Sequence, residues 1–178
     1  KIAVIREMLE NDINCPSVSS MGRLFDAVSA ITGIRETITY DAQAAIELEM
    51  ALEERDKQHT PYRFGISSVS GRQIIDPTPV IKEVVNDILV GTSQSVISWR
   101  FHRGVAEIVT GICKKIKEEK HISDVVVSGG VFQNGVLLNM VCRELKKNRF
   151  TVYVHRSLPP NDGCISVGQA AVALYTLR

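Results

Sequence analysis

The chain has 178 residues, of which 44% are hydrophobic and 23% are charged, and its formal net charge at pH 7 is +1. A chain of this length forms one domain or one large lobe, and it buries roughly 70% of its unfolded surface without needing disulfides or metal. The small net charge argues against a large nucleic-acid-binding surface. No apolar run reaches the roughly 18 residues that a membrane-spanning helix needs.

Four cysteines are spread along the chain without a C-x-x-C pair: Cys15, Cys113, Cys142 and Cys164. This spacing is typical of neither a disulfide framework nor a zinc ribbon, and it favours a reducing, cytoplasmic location. The sequence begins inside a helical pattern and has no initiator methionine. We therefore expect that it was cut from a longer chain.

The first third of the chain carries three helical patterns. Apolar residues recur at helical spacing from Ile2 to Leu9, after which Asn14 and Pro16 interrupt the pattern. A second helix is predicted over residues 19–34 and a third over residues 40–55. The second helix has an apolar stripe of Leu24, Phe25, Val28 and Ile31, and Gly33 is its stop signal. The third is predicted to bury its apolar side chains and to leave its glutamates in solvent: Glu47, Glu49, Glu53 and Glu54.

After residue 60 the periodicity changes. Residues 62–77 form two short alternating runs around a Ser-Gly turn, which predicts a hairpin that ends at Pro77. One helix then closes at Gly91, and a long amphipathic helix runs from Ser93 to about Glu119. The residues that this long helix is predicted to turn toward a core are Val96, Trp99, Val105, Ile108, Val109, Ile112 and Ile116.

The last third predicts a strand, a helix, a strand and a helix. The run "DVVVSGG" is predicted to be a buried strand, residues 133–147 a helix, "FTVYVH" a second strand and residues 162–177 a final helix. Two valine-rich strands that are separated by a helix of about 14 residues imply a parallel pair with a right-handed crossover. The order of elements therefore indicates a layered α/β lobe.

One candidate site is the turn at Ser128, Gly129 and Gly130, which follows the first of these strands. Ligands collect at the carboxyl ends of parallel strands, and glycines allow a positive φ and a close approach of the backbone to a ligand. The following helix would offer N–H groups and a positive dipole end to an anion. A compact turn without a ligand explains the stretch equally well, and the pattern is neither G-x-G-x-x-G nor a P-loop.

The loop "PPNDGCIS" takes the equivalent position after the second strand. Asn161 or Asp162 can cap the last helix, which stabilises a helix by about 1 kcal/mol. A carboxylate on a strand-end loop also suits Mg²⁺ or a mixed metal site, although capping is the favoured interpretation of this stretch taken alone. The loop is expected to lie beside residues 128–134 at one edge of the sheet.

The remaining candidates are weaker on their own. Asp26 can accept hydrogen bonds from a ribose diol, and the alternative is an ion pair with Arg23 at the i, i+3 spacing. Gln43 lies in the first turn of a helix. His102 is better explained as a structural histidine, because no partner at metal-ligand spacing accompanies it. No Ser-His-Asp or Cys-His arrangement for nucleophilic catalysis emerges from the sequence.

Taken together, five segments of the chain resemble one family: "SSMGRLFDAVSAITGI", "YDAQAAIELE", "FHRGVAEIV", "VVVSGGVFQN" and "LPPNDGCISVGQAAVAL". The family is the carboxyl-terminal part of the HypF-type carbamoyltransferases, which mature [NiFe] hydrogenases, and of related O-carbamoyltransferases. More distant relatives are the tRNA threonylcarbamoyl-adenosine synthases. The order and spacing of the motifs match over essentially the whole chain, and "GRLFDAV", "SGGVFQN" and "NDG" are the most specific of them.

The resemblance implies an α/β lobe of the hexokinase/actin-like ATPase (ASKHA) fold, with a mixed sheet packed by helices. In that fold a nucleotide and a divalent metal lie in the cleft between two lobes. Residues 1–178 would be the C-terminal lobe of the carbamoyltransferase domain, a fragment of a longer protein whose H-x-x-x-H metal pair lies in the other lobe. This chain has no such pair, since His59, His102, His121 and His155 are too far apart in sequence.

The resemblance also assigns roles to individual residues. Gly129 and Gly130 would approach the phosphates of the nucleotide, and Gln133 and Asn134 would support that turn. Asp26 would hold the ribose, for which Gly22 leaves room, and Gln43 would lie near the base or the sugar. Asp162 would be a metal ligand, positioned by Asn161.

Two positions depart from the family pattern. Asp41 and Ala42 stand where Glu-Gly or Glu-Ala is expected, and Cys164 stands where a second glycine is usual. A thiol beside the metal loop would either crowd the ligand or join the metal coordination.

The implied reaction is transfer of the carbamoyl group of carbamoyl-adenylate, made from carbamoyl phosphate and ATP, to the C-terminal cysteine of a partner protein. The implied metal is Mg, Zn or Fe, and no catalytic nucleophile of this chain is identified, which fits direct transfer. Two alternatives stay open at this point: threonylcarbamoyl transfer to tRNA, and a non-catalytic module that binds a nucleotide or a partner. The isolated chain is expected to bind ATP weakly and to lack transferase activity.

Overall fold

The computed structural model of the chain describes residues 2–53 and 58–177. Seven helices, four strands and two short 3-10 turns are found over these ranges. In chain order they are α1 (Ile2–Glu10), α2 (Met21–Ile31), α3 (Gln43–Met50), β1 (Gly65–Val69), β2 (Arg72–Asp76), α4 (Thr78–Leu89), α5 (Gln94–Lys120), β3 (Asp124–Val127), the 3-10 turn Gly130–Gln133, α6 (Gly135–Lys147), β4 (Thr151–Val154), the 3-10 turn Asp162–Cys164 and α7 (Ile165–Thr176).

Polar side chains fix where several helices begin. The hydroxyl of Ser20 accepts a hydrogen bond from the Arg23 N–H, and that of Ser93 accepts one from the Val96 N–H, so that α2 and α5 each begin one residue after a serine cap. Helix α3 is shorter than the predicted 40–55, because Ala42 adopts a left-handed φ of 61° and the helix begins only after it. The prediction for residues 54 and 55 lies outside the described residues.

The strands form two separate two-stranded sheets within the described residues. Strands β1 and β2 make the predicted antiparallel hairpin, in which Ile66 pairs with Ile75. Strands β3 and β4 are parallel, in the register that pairs Val127 with Val154. The predicted strand–helix–strand unit is therefore confirmed. Within the described residues the antiparallel and the parallel pair belong to two separate sheets, whereas the resemblance implied one mixed sheet.

The core is built around the long helix α5, against which α2, α4 and α6 pack. Trp99 and Val105 are buried as predicted, whereas Ile116 is 43% exposed because the last turns of α5 extend beyond the core. Burial also reaches Ile97 and Phe101, which the sequence pattern did not assign to the core-facing stripe. The helix is thus covered on more than one face, which a single apolar stripe does not reveal.

The segment before β1 crosses α5 at close range. The Tyr62 N–H donates to the Arg100 carbonyl at 3.1 Å, and a Cβ added to Gly104 would lie 2.4 Å from the Tyr62 carbonyl oxygen. Glycine at position 104 therefore permits this contact between the helix and the chain.

Strand β3 and the first and last helices are less buried within the described residues than the core around α5. In β3, Val127 is 4% exposed but Val126 is 73% exposed, so this strand is covered on one face and not on both. Helices α1 and α7 contain no buried residue, and Tyr175 on α7 is 84% exposed. None of the helices in residues 2–53 and 58–177 combines the length and apolar character required to cross a membrane.

Candidate functional site

The carboxyl ends of β3 and β4 bring two polar residues together. Because the register pairs Val127 with Val154, the next residues, Ser128 and His155, leave the sheet side by side. The Ser128 Oγ lies 2.8 Å from the His155 Nε2, within hydrogen-bonding distance. Sequence reasoning did not single out His155, although its position directly after the second parallel strand was a usable signal.

The two loops that follow these strands are in direct contact, as the sequence predicted. The Gly129 N–H donates to the Pro160 carbonyl oxygen at 2.8 Å. A Cβ added to Gly130 would lie 3.8 Å from the Asn161 Cβ, which is ordinary van der Waals contact. The glycine turn (residues 128–134) and the metal loop (residues 159–164) therefore form one continuous surface at the end of the sheet.

The glycine turn has backbone donors that the chain itself does not use. Gly129 has φ 107° and ψ 153°, a conformation essentially restricted to glycine. The turn then enters the short 3-10 segment, and within the described residues the N–H groups of Gly130 and Val131 have no hydrogen-bond acceptor. Since Gly130 is exposed and Val131 is partly exposed, these two N–H groups are suited to binding an oxyanion.

The N-terminus of α6, by contrast, is occupied by groups of the chain itself. The Leu137 N–H donates to the Asn134 Oδ1 at 2.7 Å, and the Val136 N–H donates to the Glu49 Oε1 at 3.0 Å. A carboxylate is favourable at the positive end of a helix. The expectation that these first-turn N–H groups serve a bound anion is therefore wrong, and so is the expectation that Glu49 only faces solvent.

Asn134 also connects the glycine turn to a buried histidine. Its Nδ2 lies 2.8 Å from the His102 Nε2, and the His102 Nδ1 lies 2.8 Å from the Ser98 carbonyl oxygen. A carbonyl only accepts, so that Nδ1 carries the proton and Nε2 accepts from Asn134. Burial lowers the pKa of His102 to about 4, which keeps the ring neutral. The structural interpretation of His102 is confirmed.

Helix α2 begins beside the same turn. A Cβ added to Gly22 would lie 3.7 Å from a methyl group of Val131. Asp26, four residues later, forms an ion pair with Arg23, with 2.9 Å between Oδ2 and Nη2. The alternative that the sequence offered for Asp26 is thus present in the structure. The Arg23 side chain is exposed and Asp26 is partly buried. An i, i+3 pair on a helix contributes only about 0.2–0.5 kcal/mol, so it leaves the carboxylate available for a ligand.

Gln43 is buried, and its amide is used inside the chain. Its Oε1 accepts from the Thr39 N–H at 2.8 Å, and its Nε2 donates to the Glu47 Oε1 at 2.9 Å. Glu47 forms a bidentate ion pair with Arg35, whose hydrogen bond lowers the pKa of the Glu47 carboxyl. The expectation that Glu47 is a solvated residue is wrong. The role of Gln43 near a base or sugar stays a prediction.

The metal loop presents one exposed carboxylate. The Asn161 Oδ1 accepts from the Gly163 N–H at 3.0 Å, so Asn161 caps the short turn that Asp162 opens. Among the described residues Asp162 has no ion-pair partner, and no group of three His, Cys, Asp or Glu side chains is arranged to hold a metal ion. Asp162 fits a metal as one oxygen ligand, and the remaining ligands would have to come from outside these residues. Gln133 is exposed at the end of the glycine turn.

Two cavities of this chain lie away from these loops. One of about 470 Å³ is lined by the paired residues Asp87 and Arg100 and by Ser93, among others, and one of about 360 Å³ includes Trp99 and Arg143. Neither contains a residue that the sequence assigned to the site. Ser128, Gly129, Gly130 and Asp162 are exposed, so the glycine turn and the metal loop lie at the surface of the described residues. That this surface is one wall of a cleft stays a prediction.

Comparisons with known proteins identify the family. The family model described as "Carbamoyltransferase, Kae1-like Domain, second subdomain" matches residues 1–169. The chain belongs to the HypF carbamoyltransferase family. It is 32% identical over 154 residues to "Carbamoyltransferase HypF" of Synechocystis sp., covering 86% of this chain and 19% of that protein. It is 30% identical over 178 residues to "Probable carbamoyltransferase HypF" of Methanocaldococcus jannaschii, covering 100% of this chain and 22% of that protein.

A solved structure of a HypF protein confirms the fold. The chain superposes with a TM-score of 0.94 and 37% identity on a protein described as full-length HypF in the phosphate- and nucleotide-bound form. The match covers 99% of this chain and 23% of that one. The α/β lobe and the resemblance to HypF-type carbamoyltransferases are therefore confirmed. The chain spans about a fifth of the length of the Synechocystis and Methanocaldococcus relatives.

Proposed function

We propose that this chain is the nucleotide- and metal-facing lobe of a carbamoyltransferase of [NiFe] hydrogenase maturation, working in the cytoplasm as part of a longer protein. The complete enzyme would transfer the carbamoyl group of carbamoyl-adenylate to the C-terminal cysteine of a partner protein. The family of the chain supports the carbamoyltransferase class, and the names of its relatives favour this reaction over threonylcarbamoyl transfer to tRNA.

One observation carries the proposal at the level of the site. The glycine turn and the metal loop are hydrogen-bonded to each other through Gly129 and Pro160, so the two free N–H groups and the Asp162 carboxylate belong to one surface. Free N–H groups bind phosphate oxygens, and a carboxylate binds a divalent cation. Phosphate and metal are the two parts of a nucleotide complex that such a surface recognises.

In the proposed reaction the residues of this chain bind and orient the reactants. The N–H groups of Gly130 and Val131 would hold the phosphate of the adenylate, and Asp26 would hold its ribose after releasing Arg23. Asp162 would supply one ligand of the metal, which polarises a carbonyl oxygen when it is bound. The thiolate of the acceptor would then attack the carbamoyl carbon, and the bond to AMP would break. No nucleophile of this chain is required for that transfer.

The experiment is to replace Asp162 by asparagine in the protein encoded by the complete reading frame around residues 1–178. Loss of a charged metal ligand should lower carbamoyl transfer from carbamoyl phosphate to the acceptor by about 100-fold or more. The melting temperature should not change, because Asp162 is exposed and Asn161 provides the cap. The transfer is measured with ¹⁴C-labelled carbamoyl phosphate, ATP and the acceptor protein.

Two controls make the result specific. Asp124→Asn removes an exposed carboxylate at the opposite end of β3 and should leave transfer unchanged. Carbamoyl-phosphate-dependent release of pyrophosphate from ATP reports adenylate formation and should persist in Asp162→Asn. Wild-type transfer by the Asp162 variant would refute the assignment of the site and, with it, the proposed function of this lobe.

A further inference from the structure

A side-chain hydrogen bond joins the first residue of the glycine turn to the first residue after β4, from which the chain leads into the metal loop. Besides the backbone bond from Gly129 to Pro160, the Ser128 Oγ and the His155 Nε2 lie 2.8 Å apart at the base of the two loops. Ser128 is exposed and His155 is partly exposed. This side-chain pair therefore lies outside the hydrophobic core, where the buried residues that hold the sheet to α5 and α6 are found.

We propose that Ser128 and His155 are positioning residues that hold the glycine turn and the metal loop in one fixed arrangement for carbamoyl transfer. This inference rests on the proposed function, since its consequence is measured in that reaction. With the Ser128–His155 bond in place, the residue that leads from β4 towards the metal loop is fixed to the start of the glycine turn. Without it, the β3–β4 pairing and the Gly129–Pro160 bond remain, but residues 155–158 lose the side-chain bond that ties them to the turn.

The relative position of the loops matters because each one carries a different part of the site. The glycine turn carries the free N–H groups of Gly130 and Val131, and the metal loop carries Asp162. A displacement of about 1 Å between groups that act on one substrate lowers a rate by up to about 100-fold. Because the strand pairing and the Gly129–Pro160 bond remain, we expect a loss of only about tenfold in kcat when the Ser128–His155 bond is removed.

The fold does not depend on this bond. The parallel register extends over four residue pairs from Asp124–Thr151 to Val127–Val154, and Val127 is buried. An exposed hydrogen bond between two side chains adds little to stability, because water replaces it on unfolding. Removing it should therefore leave the melting temperature unchanged while it slows the reaction.

The test compares three variants in the protein encoded by the complete reading frame. Ser128→Ala and His155→Ala each remove the bond and should lower kcat by about tenfold, while KM for the acceptor protein stays within about twofold. His155→Gln places an amide nitrogen near the position of Nε2 and should keep kcat within about threefold of the wild-type value. The double alanine variant should be no slower than either single variant, because both changes remove the same interaction.

Matched controls are available elsewhere in the chain. His121→Asn removes an exposed histidine at the C-terminus of α5, where φ is 58°, a conformation that asparagine tolerates. Ser67→Ala removes an exposed serine in the β1–β2 hairpin. Both controls should retain the wild-type kcat.

Three results would overturn the inference. Wild-type kcat in both alanine variants would show that the bond positions nothing. Equal losses in His155→Gln and His155→Ala would show that the imidazole transfers a proton or binds the metal and is not a tether. A fall in melting temperature that parallels the loss of kcat would show a role in folding alone.

The same experiment separates this inference from the proposed function. If Asp162→Asn loses transfer while Ser128→Ala and His155→Ala do not, the proposed function stands and the positioning role is wrong. If Asp162→Asn retains transfer, the proposed site is wrong and the positioning role falls with it.

Discussion

Acidification from pH 7 to pH 5 should destabilise the chain mainly through one buried side chain, His102. Its ring is fully buried between Ser98 and Asn134, and it accepts a hydrogen bond through Nε2 only while it is neutral. Burial lowers the pKa of His102 from 6.5 to about 4. In the unfolded chain the ring takes up a proton below pH 6.5, whereas in the folded chain it stays neutral until about pH 4.

The magnitude follows from this difference. Because the unfolded state binds more protons, the free energy of unfolding falls as the pH decreases from 6.5 towards 4. At pH 5 the loss is about 1.5 pH units times 1.36 kcal/mol, or about 2 kcal/mol. For a chain of this length that corresponds to a decrease in Tm of about 4–8 °C. The Glu47 carboxyl, whose pKa is lowered by Arg35, contributes only below its ordinary value of 4.5, outside this range.

The assay is thermal or urea unfolding at pH 7, 6 and 5, followed by circular dichroism. His102→Asn keeps a donor for the Ser98 carbonyl but has no titrating ring, so its stability should change much less between pH 7 and 5 than that of the wild type. His121→Asn, which removes an exposed histidine, should keep the wild-type pH dependence. If His102→Asn showed the same loss of stability on acidification as the wild type, the reasoning from burial would be refuted.

Three further expectations concern the glycines and the nucleotide. Gly104→Ala should destabilise the chain by about 1–3 kcal/mol in urea unfolding, because the new Cβ would meet the Tyr62 carbonyl. Gly111→Ala in the same helix faces open space and should stabilise the chain by up to about 1 kcal/mol in the same assay. Gly129→Ala should cost about 1–3 kcal/mol because of its φ of 107°, and Gly130→Ala, measured in the same way, should be nearly neutral. The isolated chain should bind ATP with Mg²⁺ only weakly, because the binding free energy from two N–H groups and one carboxylate is below the roughly 8 kcal/mol that micromolar affinity needs. A low-micromolar Kd from calorimetry would contradict this.

Local signals in the sequence predicted most of the secondary structure. Apolar patterns predicted α2 and α5, which the structure shows to be capped by Ser20 and Ser93. The two valine-rich runs around one helix form the predicted parallel pair. The parallel pairing in turn predicted the contact between the glycine turn and the metal loop, because strand ends of one sheet lie at the same edge.

The features that sequence reasoning missed depend on contacts between distant parts of the chain. Glu49 reaches the N-terminus of α6 across 87 residues, and no local pattern marks that carboxylate as a partner for Val136. Helix α3 begins later than predicted because Ala42 takes a left-handed conformation that is uncommon for alanine. Val126 was assigned to a buried strand because a run of valines is typical of a sheet covered on both faces, whereas the described residues cover only one.

The unequal use of backbone amides in the glycine turn makes ligand binding there visible to hydrogen exchange. The Gly129 amide is bonded to the Pro160 carbonyl, whereas the neighbouring Gly130 and Val131 amides have no acceptor within the described residues. The Gly129 amide proton should therefore exchange slowly with solvent deuterium and the next two rapidly. A phosphate-bearing ligand that occupies the turn would slow exchange at Gly130 and Val131 and leave Gly129 unchanged. Three consecutive residues thus provide both an internal reference and a reporter of occupancy.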